Sequence, residues 1–173
     1  MEQIVLPHLP AHPLRACMFT HVGNTPFLRQ QLLDGNSDFE YAFLDAQVLL
    51  SRNQVLGACF RAINDMLNGR MKSRNVHSEI VFSMSLNNNI SESFRRFGVG
   101  DSTQDIVAIK VGGNAPQMQE HLFKHVEGKP VKFTDDALRH IQDVARVQKI
   151  LKIEEAGVQA EGYVLGSMAI KGS

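Results

Sequence analysis

Apolar and polar positions alternate with two different periods along this chain. Residues 2–6 (EQIVL) and 14–22 (LRACMFTHV) are rich in β-formers and are separated by the proline-rich PHLPAHP, which predicts two short strands. Asn24 and Thr25, with Pro26 in the first turn and Gly35 as a stop, predict a helix. Residues 41–50 (YAFLDAQVLL) fit a strand or an extended entry. Ser51 is placed to cap a helix over 52–68 whose stripe is Val55, Cys59, Ile63 and Met66, ended by Gly69.

The next stretch satisfies both periods. Val76, Ile80 and Met84 repeat every four residues, whereas Ile80, Phe82 and Met84 alternate. A helix is favoured because a second short one follows. Asn89 reads as its N-cap with Glu92 completing a capping box, Ile90, Phe94 and Phe97 form one face, and Gly98 stops it. DIVAIKVGG (105–113) is the clearest strand, followed by a helix over 115–126 and a short strand in GKPVKF. Thr134 caps a predicted helix running from 135 to 153. A final helix near 154–170 contains Gly157, Gly162 and Gly166, which suggests a close backbone approach or a shorter helix. The expectation is an α+β fold: one helix-rich domain over residues 1–173, with a small sheet flanked by helices.

Composition narrows the function. The 173 residues carry 18 Lys plus Arg against 18 Asp plus Glu, so any nucleic-acid contact is a local patch rather than a generally basic surface. Cys17 and Cys59 lack zinc-site spacing and read as buried thiols. The N-terminus does not resemble a signal peptide, and no apolar run approaches the ~20 residues of a membrane span. An intracellular protein, cytosolic or nuclear, is expected. Clustered catalytic groups are not evident. His121 and His125 share an i, i+4 spacing without a third ligand, VGGNAP lacks the rest of a phosphate loop, and Asp135 and Asp136 fit a helix start.

The densest chemistry lies in residues 69–99. Arg70, Lys72 and Arg74 follow the Gly69 stop, where cations complement a helix C-terminus or form a phosphate patch. Arg95 and Arg96 join them if the second helix folds back. Asn87, Asn88 and Asn89 suit a cap or the edges of unpaired bases. A helix-turn-helix module, and thus a stand-alone nucleic-acid-binding protein, is the alternative.

This segment resembles the TPRKB-type, kinase-binding accessory subunit family of the KEOPS (EKC) complex. The resemblance rests on Arg70, Lys72, Ser73, Val76, Glu79, Ile80, Ser85, Asn88, Asn89, Ile90, Arg95, Arg96, Phe97 and Gly98. It extends to chain length and element order. Leu86 stands where close eukaryotic relatives have Pro, and Val76 where Leu is usual. The resemblance implies a non-catalytic subunit without a cofactor. Such a subunit contacts the complex's atypical kinase directly and the synthase and other subunits indirectly. It helps recruit tRNA by its 3′ CCA end for N6-threonylcarbamoyladenosine (t6A) modification, without a membrane partner. The expected tRNA contacts are Arg70, Lys72, Arg74, Asn88, Asn89, Ile90, Arg95 and Arg96. The expected kinase contacts are Val55, Leu165 and Met168.

Overall fold

The computed structural model describes residues 1–154 and 158–171. Its sheet is antiparallel throughout and built from β1 (Glu2–Ile4), β2 (Leu14–Thr20), β3 (Ala42–Asp45), β4 (Ile106–Val111) and β5 (Lys129–Val131). The order is β1-β2-β4-β3. β5 pairs with β2 at Met18–Thr20, and β1 pairs with it at Leu14–Ala16, so both lie end to end along one edge.

Both faces of the sheet are covered, and strict alternation divides the strand residues between them. Leu14, Ala16, Met18, Ala42, Leu44, Val107 and Ile109 enter the larger core. Cys17, Phe19, Phe43, Ile106 and Ala108 enter the smaller one. This explains why the strands read as nearly continuous apolar runs rather than half-polar ones. The larger core is closed by α2 (Arg52–Leu67), α3 (Val76–Ser83), α6 (Asp135–Ile141), α7 (Val144–Leu151) and α8 (Val158–Ile170). The smaller is closed by α1 (Thr25–Leu33) and α5 (Ala115–His125). Between α3 and the fourth strand lies α4 (Ile90–Phe97). The mixed α and β class is as the sequence indicates. Among the described residues no helix is long and apolar enough to cross a membrane.

Several local expectations hold for identifiable reasons. Ser51 accepts from the Gln54 amide at 3.1 Å, and Thr134 from that of Ala137 at 3.1 Å. Cys17 and Cys59 are free and buried. Helix α3 is buried on almost every side, at Val76, His77 and all positions from Glu79 to Ser83. That is why its sequence satisfied both periods.

Four details differ. The helix expected over 135–153 breaks into α6 and α7. Asp143 caps the second piece through the Arg146 amide, and Gln142 turns its side chain to the Leu49 carbonyl at 2.8 Å. Asn24 and Thr25 do not cap α1. Asn24 binds the His125 carbonyl and the Glu127 amide, and Thr25 the Thr103 carbonyl. Asn89 does cap α4, but Glu92 pairs with Arg96 instead of reaching back; the capping box is at α3, between Asn75 and Ser78. Gly157 lies outside the described residues, while Gly162 and Gly166 have no close neighbours. The close helix approach occurs at Gly57, where a Cβ would stand 3.0 Å from Leu165 Cδ2.

Candidate functional site

A groove of about 1160 Å³ opens between α1, the loop joining α2 to α3, and α4. Its cationic rim is Arg29 from α1, Lys72 and Arg74 from the loop, and Arg95 from α4. Ile90 and Phe94 also line it, 36% and 37% exposed respectively. The helix pair therefore folds back, bringing Lys72 and Arg74 to the same concavity as Arg95.

The loop is held from beneath. Glu79 is fully buried, and its carboxylate accepts the Lys72 amide (3.1 Å to each oxygen), the Ser73 amide (2.9 Å) and the Ser73 hydroxyl (2.6 Å). A buried carboxylate is tolerated only when such donors replace its hydration. Asn75 accepts from the Ser78 amide at 2.9 Å while the Ser78 hydroxyl accepts from the Asn75 amide at 3.0 Å, which ends the loop and starts α3. The backbone is thus spent on anchoring. The exposed side chains of Lys72 and Arg74 have no ion pair among the described residues, and neither does Arg95.

Of the eight expected nucleic-acid contacts, Lys72, Arg74, Ile90 and Arg95 line the groove. Arg70 points instead to Asp65 at 3.5 Å, and Arg96 to Glu92. Asn89 is occupied as the α4 cap. Asn87 accepts from the Asn89 amide at 3.0 Å to shape the turn. Asn88 is exposed and makes no side-chain hydrogen bond among the described residues. The expected kinase contacts divide likewise: Val55 and Met168 are buried in the larger core, whereas Leu165 is half-buried over Gly57.

Three groove residues escape sequence reasoning. Arg29 is brought in only by the packing of α1, and it stands 3.6 Å from Asp101. Phe94 shares a face with Ile90 and Phe97 by spacing, but only Phe97 of the three is buried. The buried side of α4 is Ser93 and Phe97, which leaves Phe94 turned to the groove. His77 lies on the groove wall, 6% exposed, with its Nε2 accepting the Val111 amide at 3.1 Å. Burial and, next, the nearby Lys110 lower its pKa to about 4, so the ring is neutral at pH 7 and its proton sits on Nδ1.

Tyr41 also lines the groove; its hydroxyl and Nδ1 of His121 are 2.8 Å apart, and His121 packs 4.5 Å from His125 between ring centroids. The two histidines are half-buried in an aromatic cluster with Phe27 and Phe39 rather than loose on the surface. Among the described residues no three His, Cys, Asp or Glu side chains come together as a metal site.

Fold and groove together define an α+β domain whose two-faced antiparallel sheet carries a helix-flanked, cation-rimmed groove. The family model described as Kinase binding protein CGI-121 matches residues 19–172, and the chain belongs to that family. It is 47% identical over 184 aligned positions to the EKC/KEOPS complex subunit cgi121 of Aspergillus fumigatus, covering 100% of this chain and 97% of that protein. The subunit of the same name from Gibberella zeae is 42% identical, covering 99% and 98%. That of Schizosaccharomyces pombe is 31% identical, covering 98% and 99%.

Proposed function

We propose that this protein is a non-catalytic accessory subunit of an EKC/KEOPS complex that docks on the complex's atypical kinase and offers its groove to the 3′ end of tRNA during t6A modification. The names of its relatives and of its family support membership and kinase binding. The groove carries the tRNA part of the reading. Among the described residues Lys72, Arg74 and Arg95 have no ion pair, and they stand beside the exposed Ile90 and Phe94; single-stranded nucleic acid is held by that combination of charge and stacking surface. Arg70, Arg96, Asn88 and Asn89 extend the contact along the α4 end, Arg70 and Arg96 by exchanging their carboxylate partners for phosphate. Cytosol and nucleus are the compartments that fit such a subunit, and its two unpaired cysteines accord with a reducing one.

Kinase docking falls to the outer surface of α2 and α8, where Leu165 keeps some exposure and Tyr163 is 55% exposed. Val55 and Met168 support that surface from inside. The experiment is co-expression with the kinase of the same complex, followed by size-exclusion chromatography with light scattering. A one-to-one complex is expected. Two separate peaks overturn the accessory-subunit reading.

A further inference from the structure

We infer that Lys171 is a positioning residue for the groove: it holds the C-terminal end of α3, the helix whose Glu79 holds the basic loop. The inference rests on the groove being the RNA-binding surface.

Lys171 follows α8 and is buried, which is unusual for an ammonium because its desolvation costs several kcal/mol. Its Nζ donates to the Phe82 carbonyl at 2.5 Å and the Ser85 carbonyl at 2.9 Å, and lies 3.8 Å from the centre of the Phe82 ring. Phe82 lies in the last turn of α3 and Ser85 two residues beyond its end, where a positive charge meets the negative end of the helix dipole; the Phe82 carbonyl also accepts the Ser85 amide at 3.3 Å. Lys171 is itself fixed from α2, because the Arg61 guanidinium donates to the carbonyls of Met168 and Lys171.

α3 has only eight residues, too few to hold its shape without outside contacts. It is tied at two places to different parts of the molecule: by Lys171 at its C-terminal end, and by the Glu79–loop hydrogen bonds from its middle. Glu79 and Phe82 are three residues apart, so roughly one helical turn separates the two ties. A shift or fraying at the Lys171 end is therefore passed to the amides of Lys72 and Ser73, on which the direction of the groove's cations depends.

The test is Lys171→Met, which keeps an apolar stem over Phe82 and removes the donor. Amide exchange of Lys72 and Ser73, read by NMR on the full chain without RNA, is expected to quicken about tenfold. Binding of a fluorescent single-stranded RNA ending in CCA is expected to weaken about three- to tenfold, from the cost of ordering the loop. The salt slope of binding should stay unchanged, because no phosphate contact has been removed. Unchanged Lys72 and Ser73 protection, with loosening confined to α8, overturns the inference. Faster exchange with a wild-type protein that binds no RNA upholds the positioning and overturns the RNA reading instead.

Should Lys171→Met fail to fold, the wild-type protein supplies the same measurement. Burial lowers the Lys171 pKa to about 8, helped by Arg61; Arg61 and Asp65 of α2 and Glu79 of α3 are the charged groups that act on it. Protection of the two loop amides, corrected for intrinsic exchange, is expected to fall between pH 7 and pH 9.5. A flat profile overturns the inference.

Discussion

The Glu79 carboxylate grips Ser73 twice, through its amide at 2.9 Å and its hydroxyl at 2.6 Å, from a fully buried position beneath the groove rim. Two side chains six residues apart thereby convert a glycine-terminated helix end into a fixed loop. Glu79→Gln replaces an acceptor-only group by one that presents N–H to other N–H groups. It is expected to cost about 2 kcal/mol, seen as a lower urea midpoint with an unchanged slope. A midpoint equal to wild type would show that the loop is held by other contacts.

Lys72 and Arg74 take no part in that anchoring by their side chains. The double substitution Lys72→Glu, Arg74→Glu is expected to leave stability within about 0.5 kcal/mol, as surface changes do. It should weaken binding of tRNA or of a CCA-ended single strand and reduce the salt slope by about 1.4, two contacts at roughly 0.7 each. Titration by fluorescence anisotropy at several salt concentrations measures both. Undiminished binding at low salt places the RNA contact elsewhere.

His77 makes the fold sensitive to acid. Its folded pKa, lowered to about 4, lies below the ordinary value of 6.5, so the folded state favours the neutral ring. Protonation would also turn Nε2 from acceptor to donor against the Val111 amide. The contribution is complete above pH 6.5 and is lost as pH falls from 6.5 to about 4, amounting to roughly 3 kcal/mol. Urea unfolding at pH 7.5 and 4.5 should show this loss in wild type and a smaller one in His77→Gln. Equal losses in both would assign the acid sensitivity to other groups.

Leu165 sits where α8 crosses Gly57, its Cδ2 3.0 Å from the position a Cβ would take there. Leu165→Arg leaves a path to solvent for the guanidinium and is expected to keep helical content by circular dichroism. Co-elution with the kinase should be lost. A retained complex would move the docking surface away from this part of α8.

What the sequence determined by itself was mostly local. Caps at Ser51, Asn89 and Thr134, the strand through Ile106–Val111 and the mixed α and β class depend on neighbouring residues, whose preferences act over a few positions. The basic cluster at Lys72 and Arg74 was visible for the same reason. Tertiary structure alone decided how those pieces were used. Asn24 gave up a cap to tie α1 to the end of α5, and Asp143 with Gln142 split one periodic helix in two. Val55 and Met168 went into the core, and Phe94 was turned out beside Arg95 because Ser93 and Phe97 took the buried stripe. Arg29 entered the groove from a helix more than 40 residues away in the chain, and Lys171 reached back to Phe82. Such long-range partners are selected by packing and by the need to satisfy buried charge, and neither is encoded in the spacing of residues along the chain.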